Sequence, residues 1–252
     1  MVERAKMNYK EYFEILDAIG NGELGIVYKG KDKIKDELKA IKVINLDKIK
    51  ENIINETEED IDLNKSLELY INGFKKEFEN MKICSENNNN SVKCYEYFNN
   101  EENFVIIMEL CDKNLLQILN KRVKEEGKGF NIEEIYEIMK QLNNTFKIMK
   151  EKNIIHRDIK LENILIKYID KEHKKYIIKL SDYGCSKRLI SLSRNCSTYS
   201  GTLLYMSPEI LKREEYNYKC DLWSIGIIIY KLYFSIFPYF GANENVIIKK
   251  IK

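Results

Sequence analysis

The chain has 252 residues, enough for one large domain or two small lobes around a sizeable core. Its formal net charge of +2, with 33% charged residues and no basic run, offers no electrostatic surface for nucleic acid, and no partner of that class is expected. The N-terminal MVERAKMNYKEYFEIL has no apolar signal region, and the six cysteines lack paired metal-ligand spacing. A reduced, intracellular protein, cytoplasmic or nuclear, is the simplest reading.

Residues 1–11 read as an N-terminal extension. From residue 12 the pattern is β-rich: YFEILDAIG, GIVYKGKD and LKAIKVIN read as three strands. The turn between the first two carries Gly20, Gly22 and Gly25 in GxGxxG spacing. Glycines there let a backbone approach a phosphate, but an ordinary hairpin or a Rossmann fold uses the same spacing. A Rossmann unit would open a helix at the third glycine. IVYKGKD is β-like instead, so a dinucleotide-dependent oxidoreductase lacks its βαβ unit.

Lys42 lies on the third strand, with Ile41 and Val43 facing the other way. Residues 46–66 follow, and ENIINETEEDID within them carries six acidic residues and no basic one. This reads as a solvated, partly disordered linker, with a docking segment for a basic partner as the alternative. LELYINGFKKEFENMKIC then reads as a helix whose Phe74, Phe78 and Met81 form one apolar stripe. Glu77 lies inside that stripe, whereas Glu79 points away. A carboxylate on an inward face must be paired, and Lys42 is the economical cation for it. The asparagine tract at 87–90 reads as compositional bias without function.

VKCYEYFN and NFVIIMEL make two more strands. Beyond Cys111 the pattern turns helical, in NLLQILNKRVKEE and NIEEIYEIMKQLNNTFKIMKEK. The lobe boundary falls near Leu110–Lys113. IIHRDIKLENIL places His156, Arg157, Asp158, Lys160, Glu162 and Asn163 between apolar runs, which a surface turn does not explain. NILIKY and YIIKLSD read as a strand pair that returns Asp182 beside Asn163. Asp182 followed by an aromatic and Gly184 could be a surface turn. Beside Asn163 it supplies hard oxygen ligands of the kind Mg²⁺ shares with phosphate. Asp158 is then left to accept a hydroxyl proton, and Lys42 and Lys160 to neutralise phosphate charge. The apolar WSIGIIIYKLYFSIF is broken by Lys231 and too short for a membrane span, so it reads as a buried core helix.

Six motifs in chain order, GNGELGIV, AIK, HRDIKLEN, DYG, SPE and DLWSIG, resemble those of the eukaryotic protein kinase family, over roughly residues 12–250. The resemblance implies an α+β, bilobal protein-kinase fold over 12–252. The N-lobe, about 12–110, would be β-rich with one helix, and the C-lobe, about 114–252, mainly helical. ATP would lie in the cleft with Mg²⁺. The glycine loop would contribute Ile19, Gly20, Asn21, Gly22, Glu23 and Gly25. Val27 and Ala40 would cover the adenine from above and Leu165 from below, with Met108 as gatekeeper and Glu109 to Cys111 as hinge. Lys42, Glu77, Asp158 and Lys160 would be catalytic, and Asn163 and Asp182 would hold the metal.

Lys160 together with Thr202 looks like the serine/threonine type, acting on a protein substrate. Arg157 would receive a phosphate on the activation loop, at Thr198, placed there by an upstream activating kinase. Three features depart from the family pattern. Tyr183 stands where phenylalanine is usual; it can fill the same space, and its hydroxyl must find a partner or water. The stretch from Lys42 to Glu77 is long. The chain also stops soon after the helix around Trp223, so the C-lobe is expected to be shortened. That shortening keeps a nucleotide-binding pseudokinase or scaffold as the alternative reading.

Overall fold

This computed structural model describes residues 8–22, 25–56, 62–170, 172, 175–183, 203–241 and 243–251. They divide into two compact units. The first holds the described residues up to Glu86 together with Val92–Leu110. The second holds Asn87–Ser91 and the described residues from Cys111 to Tyr183 and from Leu203 onward.

The first unit is built on an antiparallel sheet of β1 (Phe13–Asn21), β2 (Gly25–Asp32), β3 (Leu38–Asn45), β4 (Cys94–Asn99) and β5 (Asn103–Glu109), in the order β1-β2-β3-β5-β4. Polar side chains make its turns. Asp32 accepts from the amides of Ile34 and Lys35, and Asn100 from those of Glu102 and Asn103. The period-2 alternation sends Ile41, Phe98, Val105 and Ile107 to one face, where they pack with Phe13 and Tyr9. Tyr9 is 5% exposed, so the expected N-terminal extension contributes a core residue.

The other face meets α2 (Leu63–Ser85), whose Phe74 and Phe78 contact Phe104 and Tyr97. The solvated linker expected over 46–66 is, in its first half, a helix, α1 (Leu46–Glu56). Its Leu46, Ile49 and Ile53 are buried, each contributing roughly 1.5–3 kcal/mol. Their i, i+3, i+7 spacing is the apolar stripe of an amphipathic helix, and the clustered acids lie beyond it, from Glu56 to Asp62. The first unit therefore has two helices among the described residues, where one is expected.

In the second unit β6 (Lys113–Asn114), β7 (Ile164–Asp170) and β8 (Lys175–Leu180) form a small sheet in that order. α3 (Leu115–Glu126) and α4 (Ile132–Glu151) each begin in a capping box, Asn114 with Gln117 and Asn131 with Glu134. Ile135, Ile138, Leu142, Thr145 and Met149 form the buried face of α4 at alternating steps of three and four. α5 (Pro208–Leu211), α6 (Lys219–Phe234) and α7 (Glu244–Ile251) follow. α6 is the helix expected around Trp223, but it is a core helix on one side only: Ile227, Ile228 and Leu232 are buried, whereas Leu222, Tyr233 and Phe234 are exposed. Among the described residues no helix is long and apolar enough to cross a membrane.

The asparagine tract is not mere compositional bias. Asn88 donates to Thr145 Oγ1 (2.9 Å), and Asn90 Nδ2 to the Ile178 carbonyl (2.9 Å). The Asn90 carbonyl accepts from Leu180 N–H (2.9 Å) and from the Thr145 hydroxyl (3.0 Å). The buried Lys179 ammonium donates to the Asn89 carbonyl (2.6 Å). Short amide side chains satisfy backbone groups that no ladder reaches, and that makes this loop part of the second unit.

Candidate active site

Within the first unit, the glycine turn is closed by Gly22 N–H donating to the Gly25 carbonyl at 2.8 Å. Gly25 pairs with Ile44, and a Cβ on it would run into the Val43 carbonyl, so only glycine lets β2 lie this close to β3. Ile19, Gly20, Asn21 and Gly22 lie at the end of β1 and in the turn, while Glu23 is outside the described residues. Val27 is opposite Lys42, and Ala40 opposite Met108 on β5. Glu109, buried at the end of β5, donates its N–H to the Lys93 carbonyl at 2.8 Å.

Lys42 Nζ lies 2.9 Å from Glu77 Oε1. Glu77 is 1% exposed, and a carboxylate so far from water requires the cation. The expected pairing across the long intervening stretch is therefore present.

Within the second unit, Asp158 is held by its neighbours. Lys160 Nζ is 2.9 Å from Asp158 Oδ2, and Asn163 Nδ2 donates to the Asp158 carbonyl (2.8 Å) and to Oδ2 (3.2 Å). Burial works against the Lys160 charge, but Asp158 outweighs it, helped by Asp182 and Glu162, and the ammonium sits above its ordinary pKa. Ser181 donates both its N–H (2.9 Å) and its hydroxyl (3.0 Å) to the Asn163 carbonyl, which brings Asp182 to the same end of the β7–β8 pair. Leu165 on β7 and Cys111 before β6 are half-buried.

Two non-glycine residues here have left-handed backbones, Arg157 (φ 66°) and Asp182 (φ 60°). Such conformations cost roughly 1–3 kcal/mol and persist only where the surroundings enforce them. For Arg157 the enforcer is Asp221 in the first turn of α6. Its two oxygens accept from the amides of His156 and Arg157, both at 2.9 Å. Burial raises the Asp221 pKa, and the nearby His156 together with these amides opposes that. Sequence reading placed DLWSIG on a helix without a role for its acid. The signal was the one used for Glu77, a carboxylate at a buried helical position.

For Asp182 the clamps are its two neighbours. The Ser181 carbonyl accepts from His156 Nε2 (3.0 Å), and the Tyr183 hydroxyl meets Ser91 Oγ at 2.7 Å. Nothing in the sequence around Ser91 marks it for this contact. Thr198 and Thr202, and with them the expected relation between Arg157 and Thr198, lie outside the described residues. The Asn163 side-chain oxygen and the Asp182 carboxylate are hard donors of the kind Mg²⁺ prefers, so this donor set fits that ion.

A family model described as the protein kinase domain matches residues 13–252. Among curated proteins, calcium-dependent protein kinase 3 of Plasmodium yoelii yoelii is 30% identical over 97% of this chain and 40% of its own length. Serine/threonine-protein kinase ppk11 of Schizosaccharomyces pombe is 32% identical over 93% of this chain and 65% of its own. Serine/threonine-protein kinase TIO of Arabidopsis thaliana is 27% identical over 96% of this chain and 16% of its own. The chain thus spans about two fifths of the length of the Plasmodium relative. With a β-sheet N-lobe, a helical C-lobe and this match along nearly its whole length, the chain belongs to the protein kinase domain family.

Proposed function

We propose that this protein is a serine/threonine kinase that transfers the γ-phosphoryl group of ATP to a hydroxyl on a protein substrate. One observation carries the reading beyond kinship. Buried Asp158 and Asn163 and half-buried Lys160 are tied into a single group, and Asp182 adds its charge to it. As the acceptor oxygen bonds to the γ-phosphorus and the bond to the ADP oxygen breaks, Asp158 takes the hydroxyl proton. Lys42, oriented by Glu77, and Lys160 neutralise phosphate charge. Asn163 and Asp182 would hold Mg²⁺, which when bound neutralises further charge on the phosphates. Ile19, Gly20, Asn21, Gly22, Glu23 and Gly25 serve the phosphates. Val27, Ala40, Met108, Glu109, Cys111 and Leu165 serve the adenine.

Lys160 and Thr202 support the serine/threonine type, and an intracellular location follows from dependence on ATP. Phosphorylation of Thr198 by an upstream kinase, read by Arg157, is the proposed switch. Mass spectrometry of active protein beside Thr198→Ala tests it, and full activity with no phosphate at 197–200 rejects it. The central test is label transfer from ATP to a generic basic protein, with phosphoamino-acid analysis and Asp158→Asn as control. Binding of Mg-ATP without transfer would instead make the protein a nucleotide-binding scaffold.

A further inference from the structure

The asparagine loop ends on Ser91, a fully buried residue that forms a parallel bridge with Leu180. Its hydroxyl lies 2.7 Å from that of Tyr183, itself 1% exposed. The Tyr183 ring also stands 5.0 Å from the His156 ring. Asp182 sits between Tyr183 and Ser181 in a left-handed conformation, one that aspartate enters more readily than most residues but that is uncommon for any side chain beyond glycine. On the Ser181 side the constraint is three hydrogen bonds, to Asn163 and His156. On the Tyr183 side, ring packing would be equally available to a phenylalanine, but the bond to Ser91 would not.

The Ser91 end is itself immobilised. Asn88 and Asn90 tie the loop to α4 and β8, and Lys179 ties Asn89. A displacement of Tyr183 must therefore break a buried hydrogen bond to a rigid donor-acceptor, where water cannot replace it.

We propose that Ser91 is a positioning residue for the metal-binding carboxylate: through the Tyr183 hydroxyl it holds Asp182 in the conformation that presents its charge beside Lys160 and Asn163. This rests on the proposed role of Asp182 in holding Mg²⁺, and it assigns this chain's Tyr183 a task that its hydroxyl alone performs.

The test measures nucleotide affinity of the chain by fluorescent-ATP displacement, with Mg²⁺ and with EDTA, for the parent, Ser91→Ala, Tyr183→Phe and the double variant. Thermal melts are recorded in parallel. The Mg²⁺-dependent gain in affinity is expected to shrink about 5- to 10-fold in each single variant, while affinity in EDTA stays within twofold. The double variant should be no worse than either single one, because each hydroxyl acts only through the other. Tyr183→Phe removes the same bond with an isosteric ring, so it decides the matter even if Ser91→Ala fails to fold. An unchanged Mg²⁺-dependent gain in Tyr183→Phe, with or without a lower melting temperature, overturns the positioning role and leaves the proposed kinase activity standing. Absence of any Mg²⁺-dependent gain in the parent overturns both.

Discussion

Lys42 Nζ and Glu77 Oε1 are 2.9 Å apart although 35 residues separate them in the chain. β3 presents the lysine on the face covered by α2, and α2 turns the glutamate inward among Phe74, Phe78 and Met81. Lys42→Met leaves a buried carboxylate without this cation and is expected to lower stability by about 2–3 kcal/mol. Phosphate transfer should fall on the order of 10²–10³-fold. Glu77→Gln should do less to stability, and a double-mutant cycle with chemical denaturation should return a coupling of about 1–3 kcal/mol. Additive losses would mean that another acid serves Lys42.

Asp158→Asn and Asp182→Asn should separate base from metal. Both should reduce transfer, the first by roughly 10²–10⁴-fold, as expected when a positioned base is removed. Calorimetric titration with Mg-ATP should find affinity nearly unchanged in Asp158→Asn and clearly weakened in Asp182→Asn. Normal binding and turnover by Asp182→Asn would refute the metal assignment.

Asp221 touches no reacting atom in the proposed mechanism, yet its loss should be felt at Asp158. Asp221→Ala strips the acceptor from two amides, each worth about 1–3 kcal/mol when left buried and unmet. The melting temperature should fall, and kcat should fall with it at temperatures where the variant is folded. A lower melting temperature with unchanged kcat would show that the loop keeps its left-handed turn at Arg157 without Asp221.

Gly25→Ala should weaken nucleotide binding and destabilise the first unit by about 1–3 kcal/mol, since the new Cβ meets the Val43 backbone rather than a side chain that can swing away. Equilibrium unfolding and nucleotide titration check both effects. An alanine variant with parental values would mean that β2 and β3 part without penalty.

Burial pushes the Cys94 and Cys220 thiols up to about 12, from an ordinary value of 9.0. The unfolded chain releases these protons above about pH 9 while the folded chain retains them. The unfolded state thus binds fewer protons there, and stability must decline as pH rises from about 9 toward 12. Below pH 9 both states keep the protons and the thiols contribute no slope. Denaturant unfolding between pH 7.5 and 10.5 should show this decline. Replacing both cysteines by alanine should flatten it, apart from what buried tyrosines such as Tyr205, also raised by burial, contribute.

Much of this protein was legible in the order of its residues. Alternation in the strands, the apolar stripe of α2 and the polar cluster between apolar runs at 154–165 are local patterns, and local patterns survive in one dimension. Glu77 announced a partner because a carboxylate on an apolar face is untenable alone, and Lys42 was the cation on offer. α1 is hard to read in one dimension because its short apolar stripe of three residues runs straight into the acidic stretch from Glu56, and only packing against α2 and β5 decides which side of that segment is dry. The asparagine tract is opaque for a related reason. An amide side chain carries no periodic signal, and its value depends on which backbone groups the fold leaves unsatisfied nearby. Asp221 holding the turn at Arg157, and Ser91 meeting Tyr183, join residues 64 and 92 positions apart. Hydrogen bonds of that reach depend on distances set after the helices and strands have packed, so the tertiary structure alone decided them.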